Sequence, residues 1–241
     1  MNGKSNGRII PSDRSIAFDC CFPYRDFPKF LEETKGIVQI DANKIDAIAG
    51  GIGWESWVGL SREITPERKI IYDGQKLGRD VKHIIPGLVE EFKRVGFDAI
   101  IVYPKSDEIL GIYVEETRRR NLGIIIGGKM TNEKDNDEES YLFYLNAIRM
   151  GVANFGIPAS GKSDYRFVEN LIERINKIRK HTDFDWYPIG IGPQGGTIEE
   201  VVNTLGKDAR FHAIMGREIY DAPKINNISV RDAALNSAGK I

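Results

Sequence analysis

The chain has 241 residues, 41% hydrophobic and 29% charged, and its 34 basic residues nearly balance 35 acidic ones for a net charge of −1. Such a balance gives no strong field for nucleic acid, and no run of roughly 18 apolar residues is present to cross a membrane. The chain is long enough to bury a large core without staples. The only cysteines, Cys20 and Cys21, are adjacent, so they are poorly placed to bridge each other and too few to hold a metal, and the simple inference is a reducing, cytoplasmic setting.

Residues 1–12 are polar and Gly-rich and lack an apolar signal core, which predicts a loose tail ahead of a single domain over 13–241. From there β-rich runs alternate with helical stretches. The predicted strands are Ser15–Cys20, Ile37–Ile45, Lys69–Asp73, Asp98–Tyr103, Leu122–Gly127, Val152–Gly156, Tyr187–Ile191 and Phe211–Met215. Several, such as Ala99-Ile100-Ile101-Val102 and Ile124-Ile125-Ile126, are continuously apolar, as parallel strands covered by helices must be. Val81–Val95 and Phe167–Ile178 carry apolar residues at helical spacing. Gly96, Gly123 and Gly151 each follow a helical stretch, where a C-cap glycine belongs. Arg118, Arg119 and Arg120 suit the negative end of a helix. Eight strand–helix units of about 25–30 residues predict a (β/α)₈ TIM barrel over a doubly wound sheet. The acidic stretch Asn132–Glu139 begins just after a strand end, and both a mobile lid and a plain solvated loop fit it.

Four motifs bear on chemistry. Gly156-Ile-Pro-Ala-Ser-Gly-Lys162-Ser163 fits the P-loop pattern, whose amides, lysine and serine would wrap a nucleotide phosphate and Mg²⁺. Pro158 removes one of those donors, however, and the next strand ends in glycines rather than a magnesium-holding aspartate. Gly190-Ile-Gly-Pro-Gln-Gly-Gly196 before a helix lets backbone approach a ligand closely. Ala213-Ile-Met-Gly216-Arg217 presents an arginine just past another strand end. In a barrel these last two fall after strands 7 and 8, where phosphate sites recur. Finally, Asp73, Lys76 and Asp80 cluster where the third strand opens into a loop, Lys44 ends the second and Asp19 the first. Alternating Lys and Asp around one pocket can hold a lysine protonated and poised as an acid, and structural salt bridges would show the same composition.

On Gly190–Gly196 with Met215-Gly-Arg-Glu-Ile-Tyr220, and in the style and order of Met150–Phe155 and Phe97–Val102, the chain resembles the orotidine 5′-monophosphate decarboxylase superfamily over nearly its whole length. The resemblance implies a homodimeric barrel acting on a small nucleotide without metal or organic cofactor. It implies that Asp19 binds the ribose and that Lys44, Asp73, Lys76 and Asp80 form a catalytic Lys-Asp-Lys-Asp array, with Asp80 reaching the partner subunit's site. Gln194 and Arg217 would hold the phosphate, together with Gly195, Gly196 and Gly216. Thr131 would face the pyrimidine, and Pro158 would complete the substrate-binding set. The implied reaction is loss of CO₂ from C6, leaving a carbanion that Lys76 stabilises and protonates. The third strand departs from the family pattern D-x-K-x-x-D: here Asp73-Gly-Gln-Lys76-Leu-Gly-Arg-Asp80 is one residue longer in each gap. Strand alternation alone would turn Gln75 inward. A bulge at Gly74 restores Lys76 to the pocket, and this is the expectation. Sugar-phosphate decarboxylases and aldolases of the superfamily use Mg²⁺ and a glutamate where this chain has Lys44. The residues also leave open a P-loop ATP-binding protein and a phosphate-ligand binder without turnover.

Overall fold

A computed structural model describes residues 7–46, 53–74, 81–131 and 136–241. Eight strands form a closed, all-parallel barrel in chain order: β1 (Arg14–Asp19), β2 (Ile40–Asp46), β3 (Lys69–Gly74), β4 (Ala99–Val102), β5 (Gly123–Gly127), β6 (Asn154–Pro158), β7 (Asp185–Ile189) and β8 (Arg210–Met215). Between them run α1 (Phe27–Thr34), α2 (Trp54–Ile64), α3 (Ile85–Val95), α4 (Asp107–Arg119), α5 (Asp137–Arg149), α6 (Lys162–Asn176) and α7 (Ile198–Leu205). Three further helices close the chain: α8 (Arg217–Tyr220), α9 (Ala222–Ile225) and α10 (Val230–Ala238). This is the (β/α)₈ barrel that the sequence predicts.

The continuous apolar strands serve two cores. Outward residues such as Ile100, Val102, Ile124 and Ile126 pack under the helices, while Ala17, Ala42, Ile71, Ala99, Ile101, Ile125 and Ile214 fill the interior. Ile9 and Ile10 belong to that interior cluster, with Ile10 fully buried. The segment predicted as a loose tail thus plugs the barrel's N-terminal end at these two residues. Gly123 explains how: a Cβ there would stand 2.8 Å from Ile9 Cγ1. Gly123 therefore opens β5 beside the plug and is not a helix cap. The left-handed residue after α4 is Asn121 (φ 50), a residue type that tolerates this conformation. Gly96 and Gly151 do take left-handed φ, 106° and 84°, after α3 and α5.

Three further differences bear on function. Asn136 caps α5 and residues 137–139 form its first turn, where acidic side chains suit the helix's positive end, so this part of the acidic stretch is helix and not loop. Residues 132–135 lie outside the described residues. Strands β6 and β7 also sit two residues from their predicted positions, at Asn154–Pro158 and Asp185–Ile189. Gly156 and Pro158 are therefore strand residues. Ala159 N donates to Ile189 O at 2.7 Å, and Asp164 Oδ2 takes the Ser160 amide at 2.9 Å. Two of the amides that a P-loop would turn toward phosphate are thus already engaged, which, with Gly156 and Pro158 in the strand, argues against the P-loop reading.

Candidate active site

The C-terminal mouth of the barrel gathers charge on β1–β3. Inward alternation places Asp19, Lys44 and Asp73 on adjacent strands, with Asp19 in register with Lys44. The Lys44 ammonium lies 3.0 Å from Asp19 Oδ1 and makes a short hydrogen bond to Asp73 Oδ2. Lys44 is 2% exposed and Asp73 6%. Burial alone would pull the lysine's pKa down, but the two carboxylates outweigh it and hold the group well above the ordinary lysine range. Burial pushes the Asp19 carboxyl up; the Lys44 ammonium pulls against this, and the Asp73 charge adds to it. Lys44 is accordingly a fixed cation, and it occupies the space between the carboxylates that a divalent metal would need.

A buried polar brace holds β2 from behind. Arg68, fully buried, donates to Thr34 Oγ1 at 3.0 Å and to Asn43 Oδ1 at 3.1 Å, and Asn43 Nδ2 donates to Thr65 Oγ1 at 2.9 Å. Asn43 faces outward next to inward Lys44, so the brace fixes the strand that carries the ammonium. Sequence reading missed it because its members are scattered singly along the chain.

The opposite side of the mouth is glycine and backbone. The loop after β7 folds on itself, with Gly196 N donating to Gly190 O at 3.1 Å and Gly192 N to Gly196 O at 2.9 Å. Gly190, Gly192 and Gly195 all have positive φ. A Cβ at Gly195 would lie 2.7 Å from Ser160 O, and one at Gly196 would collide with Ala159 O, so the loop is pressed onto the end of β6. A Cβ on Gly192 would lie 2.8 Å from Glu218 Oε2, which puts the loop against the first turn of α8. Arg217, first residue of α8, is exposed, and its side chain makes no hydrogen bond or ion pair among the described residues. Gln194 is exposed in the same loop. A cavity of about 900 Å³ borders Gly192, Gly195, Gly196, Thr197 and Arg217 on their outer side and includes none of Asp19, Lys44 and Asp73.

Gly216 joins the two sides, since a Cβ there would lie 2.8 Å from Asp19 Cβ. Pro158 ends β6 in register with Ile189, and Thr131 follows Met130, which packs on the interior cluster. The structure thus brings Asp19, Lys44, Asp73 and Gly216 together and sets Gln194, Gly195, Gly196 and Arg217 on the adjoining loops. Gln75, Lys76 and Asp80 lie outside the described residues. Through Gly74 the pairing with β4 is regular, Gly74 opposite Val102, and the bulge expected between Gly74 and Lys76 falls on residues outside the described ones. One mouth residue that sequence reading passed over is Tyr103, just past β4 and 6% exposed. Its one sequence signal is an aromatic closing an apolar strand.

Fold and site together define a closed (β/α)₈ barrel with a carboxylate–ammonium–carboxylate array at its mouth. Solved structures with this fold include orotidine 5′-monophosphate decarboxylase from Methanocaldococcus jannaschii complexed with the inhibitor BMP, at TM-score 0.76 and 16% identity over 94% of this chain and 98% of that one. They also include orotidine 5′-phosphate decarboxylase from Pyrococcus horikoshii OT3, at TM-score 0.70 and 22% identity with the same coverage. The Sulfolobus solfataricus enzyme gives TM-score 0.65 and 15% identity over 95% of this chain and 96% of that one. No protein-family model and no curated protein matches the sequence. At these identities the likeness is one of fold.

Proposed function

We propose that this protein is an orotidine 5′-monophosphate decarboxylase, a carboxy-lyase of pyrimidine synthesis that works without metal or organic cofactor. The observation that carries the reading is Lys44 held between Asp19 and Asp73 at the mouth of a barrel whose overall form matches those decarboxylases. In this reading Arg217, Gln194 and the Gly195–Gly196 backbone bind the 5′-phosphate, Asp19 the ribose, and Thr131 and Pro158 border the base. Binding energy from the remote phosphate orients the reacting ring. The C6–carboxylate bond breaks, CO₂ leaves, and the electron pair stays on C6. In this reading the proton comes from Lys76, which solvent then reprotonates, while Lys44 stays paired with Asp19 and Asp73. Asp80 completes the array across a homodimer seam in a cytoplasmic enzyme. The exposed apolar residues Val81 and Ile84 directly follow the segment that carries it. The test is turnover of orotidine 5′-monophosphate against hexulose 6-phosphates, with and without EDTA. Metal-independent release of CO₂ and uridine 5′-monophosphate (UMP) is expected. Activity confined to the sugar phosphates and lost in EDTA would move the chain to the other branch, and UMP binding without turnover would make it a binder only.

A further inference from the structure

The mouth has a third wall that the charged array and the glycine loops do not supply. On β4–β6 the inward positions above Ile101 and Ile125 are Tyr103, Gly127 and Gly156, and two of the three carry no side chain. The Tyr103 ring fills the space instead. A Cβ on Gly127 would collide with Tyr103 Cζ and Cε1 and lie 2.5 Å from Cε2, and one on Gly156 would lie 3.4 Å from the Tyr103 hydroxyl. The ring thus reaches from β4 across β5 toward β6. Met130 and Ile189 pack on the same interior cluster, on its rim. Ile101 is register-paired with Asp73, so Tyr103 stands one inward position above the level of that carboxylate, on the next strand.

We propose that Tyr103 is a specificity-determining residue of the site, a single aromatic wall that limits the size of the ring the mouth admits opposite the Asp19–Lys44–Asp73 array. The inference rests on the nucleotide reading above. A ligand whose phosphate lies on the β7–β8 loops and whose reacting ring meets the β1–β3 charges must turn its remaining edge toward β4–β6. There the available depth is set by one ring standing over two glycines. The arrangement makes depth adjustable in both directions: shortening residue 103 deepens the mouth, while a methyl on Gly127 drives the tyrosine ring outward and makes it shallower. A merely structural tyrosine would give variants that lose stability without opposite changes in size preference.

The experiment measures binding of UMP, 5-iodo-UMP, 6-methyl-UMP and ribose 5-phosphate to the full chain and to Tyr103→Val, Tyr103→Leu and Gly127→Ala. One methylene in an apolar pocket is worth about tenfold or more, so for at least one enlarged nucleotide the penalty relative to UMP should fall about tenfold in Tyr103→Val and rise in Gly127→Ala. Tyr103→Leu should lie between wild type and Tyr103→Val, and ribose 5-phosphate should bind all four proteins alike. If Gly127→Ala does not fold, the graded Val and Leu pair decides. Unchanged ratios for both enlarged nucleotides would overturn the proposal while leaving the nucleotide reading intact. Failure of the wild-type chain to bind UMP would overturn both.

Discussion

The two ends of the barrel each bury an ionisable side chain, and they resolve its charge in opposite ways. At the C-terminal mouth Lys44 stays charged, because Asp19 and Asp73 stand against its ammonium. Toward the N-terminal end His212, fully buried, is held neutral: burial pushes its pKa down to about 3, and the nearby Arg8 and Arg210 push it the same way. Its ring shares a 2.9 Å hydrogen bond with Ser15 and lies 5.1 Å from the Tyr187 ring. Burial therefore does not decide charge by itself; partners do. The mouth keeps a buried cation between two carboxylates, while the base keeps His212 uncharged beside the Asp185–Arg210 ion pair, close to the Ile9–Ile10 plug.

The largest effect should come from breaking the charged end. Lys44→Ala leaves two carboxylates without their counter-ion and should cost about 3–5 kcal/mol in urea unfolding as well as abolish turnover. A Lys44→Ala protein as stable as wild type would mean that Asp19 and Asp73 do not depend on that lysine. At the sealed end, Ile10→Ala should cost about 2–5 kcal/mol by the same measurement, against almost nothing for a frayed tail.

Arg217→Ala, at the rim, should leave stability nearly unchanged and remove a charge-assisted contact worth roughly 1.5–3 kcal/mol. UMP binding should then weaken about tenfold or more, while uridine binding barely changes. Equal losses for both ligands would assign the arginine to folding. A last prediction, read as a slope against pH, sharpens the end that carries His212. An unfolded histidine takes its proton near pH 6.5, and folded His212 resists until about 3. As pH falls through that window the unfolded state binds a proton that the folded state does not. Stability present above pH 6.5 is therefore lost, by at most about 1.4 kcal/mol per pH unit. His212→Gln should flatten that part of the acid limb, and an unchanged slope would show that His212 titrates normally in the folded chain.

The barrel was legible because parallel strands buried on both faces must be apolar throughout, as Ala99–Val102 and Ile124–Ile126 are. The mouth residues Asp19, Asp73 and Arg217 were legible because each closes or closely follows an apolar run, and Lys44 because it is a charged residue near the end of a predicted strand. The plug was not: Ile9 and Ile10 are two apolar residues in a polar window, and only closure of the barrel gives them a core to enter. Gly123 read as a helix cap because spacing cannot tell a glycine that ends a helix from one that makes room for Ile9. Lys162-Ser163 matched a phosphate motif, two of whose amides, Ala159 and Ser160, serve β7 and Asp164 instead. Tyr103 stayed hidden because its importance depends on Gly127 and Gly156, which share its layer only once the strands are in register.

The proposed reaction has Lys76, rather than Lys44, deliver the proton to the decarboxylated pyrimidine. It is tested most directly by following CO₂ release from carboxyl-labelled orotidine 5′-monophosphate in the wild-type chain, Lys76→Ala and Gln75→Ala, alongside UMP binding to each. One CO₂ per UMP formed is expected from wild type, near-wild-type release from Gln75→Ala, and none from Lys76→Ala despite retained UMP binding. Release undiminished in Lys76→Ala, or absent from wild type, would contradict it.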